Sequence, residues 1–154
     1  MKLMIDANVI LDGLLEREGF YDDSQNLFIG VAQGEFEGFL TTKSVADIYY
    51  IARKKSGDEA KSRAIVSKLL KVFDIVEITY IDCINAFHME GKDYEDNLII
   101  SAAERKGADV ILTRNLKDFE KSAIPAQLPG EFLTKQDHAP GKVSKLKQIK
   151  RKKH

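Results

Sequence analysis

The chain has one cysteine, three histidines and no apolar run of the ~18 residues that a membrane-crossing helix needs. The lone thiol, Cys83, excludes an internal disulfide and any cysteine-based zinc cage, and it fits a reducing compartment. His88, His138 and His154 show no metal-ligand spacing, and neither a Walker loop nor a glycine-rich dinucleotide fingerprint occurs. The first apolar run, Leu3-Met4-Ile5, meets Asp6 before a signal-peptide core could form. The expectation is a cytoplasmic protein without a membrane partner, whose chemistry is not built on sulfur, imidazole or a standard nucleotide loop.

Acid is missing from the chain's end. After Asp137 there are seven lysines and arginines and no carboxylate, so the formally neutral total hides a body of 24 acids and 17 bases, a charge of −7. With 154 residues, one core is the natural limit. Residues 1–137 are therefore read as one domain, and 138–154 as a basic, flexible tail entered through Pro140-Gly141. Such a tail can be a solubilising segment or a cationic arm on phosphate, and Lys145, Lys147, Lys150, Arg151 and Lys152 are its candidate RNA contacts.

Hydrophobic periodicity supplies the layout. Strands are predicted at 2–5, 36–40, 75–79 and 110–112, with a fifth at Glu131–Leu133. Helices are predicted at 8–16 and 22–33, from Ser44 toward Gly57, at 59–73 and 82–90, and from Asp93 to Gly107. Strands alternating with helices, several of them wholly apolar, imply an α/β fold with a parallel sheet covered on both faces. Ligands of such sheets lie beyond the carboxyl ends of the strands.

Four carboxylates fall there. Asp6 follows the first strand, Asp47 and Asp96 lie in first helical turns, and Asp118 follows the fourth strand. The spacings Ser44-x-x-Asp47, Asp93-x-x-Asp96 and Asn115-x-x-Asp118 suit helix capping, which explains any one acid alone. Capping does not require four acids around one rim. Carboxylates held close repel unless a hard cation neutralises them, and an all-oxygen donor set suits Mg2+ or Mn2+. Two such ions ~3.5–4 Å apart would serve in-line displacement at phosphorus. Asn8 and Asn115 are candidate orienting amides, Thr113 and Ser44 are supporting hydroxyls with Ser44 expected as an N-cap, and Arg114 is a candidate phosphate contact. Asp93, as the cap, and Glu95 are expected to face elsewhere.

Met4-Ile5-Asp6-Ala7-Asn8-Val9-Ile10-Leu11, Ser44-Val45-Ala46-Asp47-Ile48-Tyr49-Tyr50, Asp93-Tyr94-Glu95-Asp96 and Ala108 through Phe119 together carry a resemblance over residues 1–135. The sequence resembles PIN-domain proteins, and among them the VapC-like toxin ribonucleases of toxin–antitoxin systems. The resemblance implies a five-stranded parallel sheet flanked by helices, and Mg2+- or Mn2+-dependent RNA cleavage. Asp6, Asp47 and Asp96 would be the central acids, with Asp118 as a weaker fourth ligand. It also implies an antitoxin partner and pairing of two copies. The middle acid is Asp where relatives more often carry Glu, and Asn115 stands where many have Asp. The competing function is a catalytically silent RNA-binding or regulatory module. An aspartyl-phosphate enzyme fails on Asn8, which stands where a dehalogenase-like site needs a second Asp, and on the lack of a placed lysine.

Overall fold

The computed structural model describes residues 1–91 and 93–137, so the tail with Lys145, Lys147, Lys150, Arg151 and Lys152 lies outside the described residues. Five strands form one sheet: β1 (Lys2–Ile5), β2 (Glu37–Thr41), β3 (Asp74–Val76), β4 (Val110–Leu112) and β5 (Ala126–Gln127). Their order is β3-β2-β1-β4-β5 and every pairing is parallel. Among the described residues, seven α-helices accompany them: α1 (Ala7–Leu14), α2 (Tyr21–Ala32), α3 (Thr42–Ser56), α4 (Glu59–Val72), α5 (Tyr80–His88), α6 (Tyr94–Lys106) and α7 (Pro129–Asp137). A 3-10 turn covers Leu116–Phe119.

The apolar runs are buried because side chains alternate between two cores. Leu3, Ile5, Leu40, Val110 and Leu112 join Val9, Leu11, Leu27, Ile48, Leu69 and Phe132 on one face. Met4, Phe39, Val76 and Ile111 meet Ile99, Ile100, Ala102, Ala103 and Phe119 on the other. No helix among the described residues is long and apolar enough to cross a membrane.

The predicted strand at Glu131–Leu133 is a helix. Pro129 sits at the first helical position, where its missing N–H costs nothing, and Phe132 and Leu133 are buried by helical packing, with the Phe132 ring edge-on to Phe36 at 5.2 Å. The fifth strand is only Ala126–Gln127, too short to leave a periodic signal, and is defined by pairing Ile111↔Ala126 and Leu112↔Gln127. The third strand also starts and ends earlier than predicted, at Asp74–Val76, and Tyr80 rather than residue 82 begins α5.

Beneath α6, Asp82 is wholly buried yet fully partnered. It accepts from Ser101 Oγ at 2.8 Å and from Arg105 Nη2 at 2.9 Å, and it closes a capping box with Thr79. Burial alone would raise its carboxyl, but Arg105 leads the hydrogen bonds that hold it down at about 2. This network fixes α5 to α6, and α6 carries the acids described next.

A carboxylate-lined cleft at the sheet's switch point

The strand order reverses at β1, which pairs with β2 on one side and β4 on the other. Parallel sheets open a crevice at such a point. Asp6 leaves β1 there as the N-cap residue of α1, tied by its backbone N–H to Leu112 O at 2.9 Å. Its carboxylate accepts from Thr113 Oγ1 at 2.9 Å, and Thr113, just after β4, is completely buried. Thr113 also receives the Asn115 backbone N–H at 3.0 Å, so one hydroxyl aligns the ends of both strands. Asp6 is only 5% exposed. Desolvation raises its carboxyl above the usual range, against the pull of Thr113 and the Asn8 and Ala7 amides.

Asp96 approaches from the first turn of α6. Asp93 caps that helix, its Oδ1 accepting from Glu95 N at 2.9 Å and Asp96 N at 3.2 Å. Asp93, Asp96 and Asp118 each place a carboxylate oxygen within 4.8 Å of the others. Asp96 is 9% exposed, and its carboxyl is pushed up to about 7, first by desolvation and then by the charges of Asp93, Asp6 and Asp118. Helix capping does not account for a buried acid among three others. The donors are all oxygen, and among the described residues no lysine or arginine forms an ion pair with Asp93, Asp96 or Asp118, which fits a hard divalent cation.

A cleft of about 400 Å3 is lined by Asp6, Asn8, Lys43, Ser44, Asp47, Asp93, Glu95, Asp96 and Asn115, among others. The structure thus brings Asp96 and Asp118 together and adds Asp93, which was expected only to cap, while Asp6 shares the cleft with Asp96 and acts on it through its charge. Asp47 lines the same cleft but lies outside the close trio, its Oδ2 bound by Lys43 Nζ at 2.5 Å. Glu95, expected to face away, turns into the cleft and meets Lys43 at 3.6 Å. Asp118 borders a second hollow, of about 660 Å3, shared with Asn97, Lys117 and Lys121. Asn8 and Asn115 line the first cleft.

One expectation is corrected. Ser44 does not cap α3: Thr41 does, accepting Ser44 N at 3.0 Å, because the helix begins two residues earlier. Arg114 is paired outside the cleft, its Nε 2.8 Å from Asp12 Oδ2 and its guanidinium 4.4 Å over the Phe20 ring, while its charge still pulls the Asp6 carboxyl down. The available signal for Lys43 was its i,i+4 spacing from Asp47. Glu95 gave none, since its partner comes from another helix.

Comparison with known proteins bears on the family and the fold. The family model described as PIN domain matches residues 2–117. The fold is similar to VapBC2 from Rickettsia felis, solved bound to a promoter DNA fragment, with 16% identity, TM-score 0.63 and coverage of 83% of this chain and 98% of that one. DNA-bound VapBC from Salmonella typhimurium gives 17%, 0.63, 84% and 98%. Mycobacterium tuberculosis VapC20, described as a toxin cleaving the sarcin-ricin loop, gives 12%, 0.57, 71% and 86%. No curated protein matches the sequence significantly.

Proposed function

The chain belongs to the PIN-domain family, and from that premise we propose that it is a Mg2+- or Mn2+-dependent endoribonuclease acting as the toxin of a toxin–antitoxin pair. The observation that carries the reading is the close approach of Asp93, Asp96 and Asp118, joined by the charge of Asp6, with the Asp96 carboxyl pushed up to about 7. Asp6 and Asp96 would hold the ion, assisted by Asp118 and Asp93. When bound, a hard divalent cation offsets their repulsion, draws in phosphate oxygens and makes water a better nucleophile toward phosphorus. Thr113 fixes the Asp6 carboxylate, and the amides of Asn8 and Asn115, which line the cleft, would orient a phosphate oxygen or water. The antitoxin partner is proposed from the likeness to proteins solved as VapBC complexes.

Purified protein is expected to cut single-stranded RNA with Mg2+ or Mn2+ and to stop in excess chelator, with Asp6→Asn inactive but folded. Cutting that persists in chelator, or undiminished in the folded variant, removes this function. The basic residues after Asp137 are proposed to add phosphate contacts. Deleting 141–154 should weaken RNA binding and flatten its salt dependence, because each lost phosphate contact lowers the slope of log K against log salt by roughly one. An unchanged slope would leave the tail a solubilising segment.

A further inference from the structure

Five carboxylates line the cleft, those of Asp6, Asp47, Asp93, Glu95 and Asp96, and among the described residues Lys43 is the one cation that lines it with them. Lys43 sits in the first turn of α3 and reaches Asp47 on its own helix and Glu95 on α6, so its ammonium spans the two helices that face each other across the opening. It is about one-quarter exposed. An ammonium has three donors, and here it makes one short hydrogen bond and one longer ion pair.

We propose that Lys43 takes the place of a second divalent ion, so that the cleft holds a single ion at Asp6 and Asp96 while the Lys43 ammonium receives the phosphate beside Asp47. The inference rests on the nuclease reading and deepens it. Asp47 is already neutralised by Lys43 and has little charge left to attract another cation. A divalent ion placed beside the ammonium would also be repelled by it. A phosphodiester entering the cleft brings the negative charge that the ammonium can share with Asp47 and Glu95, and the remaining donor capacity of Lys43 suits a non-bridging oxygen. Lys43 thereby positions the phosphate from the α3 side while the acids act from the β1 and α6 side.

Removing the ammonium would leave Asp47 and Glu95 unpaired next to Asp6, an arrangement that recruits a cation. The test counts Mn2+ bound per chain without RNA, from the free-ion paramagnetic resonance signal, for wild type, Lys43→Met, Lys43→Gln and Lys43→Arg. Wild type and Lys43→Arg should bind one ion, and Lys43→Met and Lys43→Gln two. In excess chelator, where RNA is bound but not cut, Lys43→Met should bind single-stranded RNA roughly 10-fold more weakly, the loss of one charged hydrogen bond. Two ions in the wild type, or one in both neutral variants, overturns the assignment to Lys43 and leaves the nuclease reading standing. No ion uptake by the wild type, with RNA left uncut, brings down the nuclease reading and this inference with it.

Discussion

Asp96→Asn is expected to abolish RNA cutting and, in the same preparation, to raise the melting temperature of the metal-free protein at pH 8. Both effects come from one charge. The Asp96 carboxyl is raised from 3.8 to about 7 because burial and then Asp93, Asp6 and Asp118 disfavour the anion. A raised folded value means that the folded chain binds the proton more tightly than the unfolded chain does. Stability of the metal-free protein therefore falls as pH rises from about 4 to about 7, and the full penalty is present above that window. The asparagine amide keeps the shape and carries no charge, so the variant escapes a penalty on the order of 2–4 kcal/mol. At roughly 2–4 °C per kcal/mol the rise is several degrees or more. Below pH 4 the two proteins should melt together, because both are then neutral at this position.

Divalent ions reverse the comparison. They should raise the wild-type melting temperature and leave Asp96→Asn nearly unmoved, since binding to the folded state alone stabilises it by mass action. Cutting should fall in acid, as protons compete with the ion for the carboxylates. Loss of cutting by roughly 1,000-fold is the scale seen when one electrostatic partner of a transition state is removed. A variant that melts at or below wild type in chelator at pH 8 would show that no electrostatic conflict exists at Asp96, and the strongest argument for an ion would be lost.

The parts of this protein legible in its sequence are those that local pattern determines. β4 is short, wholly apolar and buried, β1 is so after its exposed Lys2, and Asp6 and Thr113 are read directly as the residues that leave them. Asp96 is legible because Asp93 marks the start of α6 three residues earlier. The misses share a cause. β5 is two residues held by backbone pairing to β4, and the apolar pair Phe132-Leu133 reads equally well as strand or helix until Phe36 is known to cover it. Glu95 enters the cleft because Lys43 on α3 draws it, a contact across 52 residues that no helical spacing encodes. The same holds for Arg114, whose partner Asp12 lies on α1.

That last pairing supports the second large effect: Asp12→Ala should lower the melting temperature by roughly 5–15 °C, the opposite sign to Asp96→Asn. Asp12 is 2% exposed and engages two arginines, accepting from Arg17 Nη1 at 3.2 Å and lying 2.8 Å from Arg114 Nε. Arg114 stands between Thr113, which holds Asp6, and Asn115, which lines the cleft. Truncating Asp12 leaves two guanidiniums without their buried counter-charge, and although both are partly exposed and can turn to water, the loop they anchor loses its tie to α1. The cost is about 2–4 kcal/mol, at the lower edge of what breaking a buried pair entails, because the arginines are not stranded. Cutting measured well below the melting transition should fall by roughly 10-fold, the result of displacing Thr113 and Asn115 rather than of removing a ligand. Mn2+ uptake should persist in Asp12→Ala and be lost in Asp96→Asn, which separates a residue that aligns the rim from one that holds the ion. An Asp12→Ala protein that melts with wild type would mean that the two arginines contribute nothing through Asp12, and the rim would owe its position to Thr113 alone.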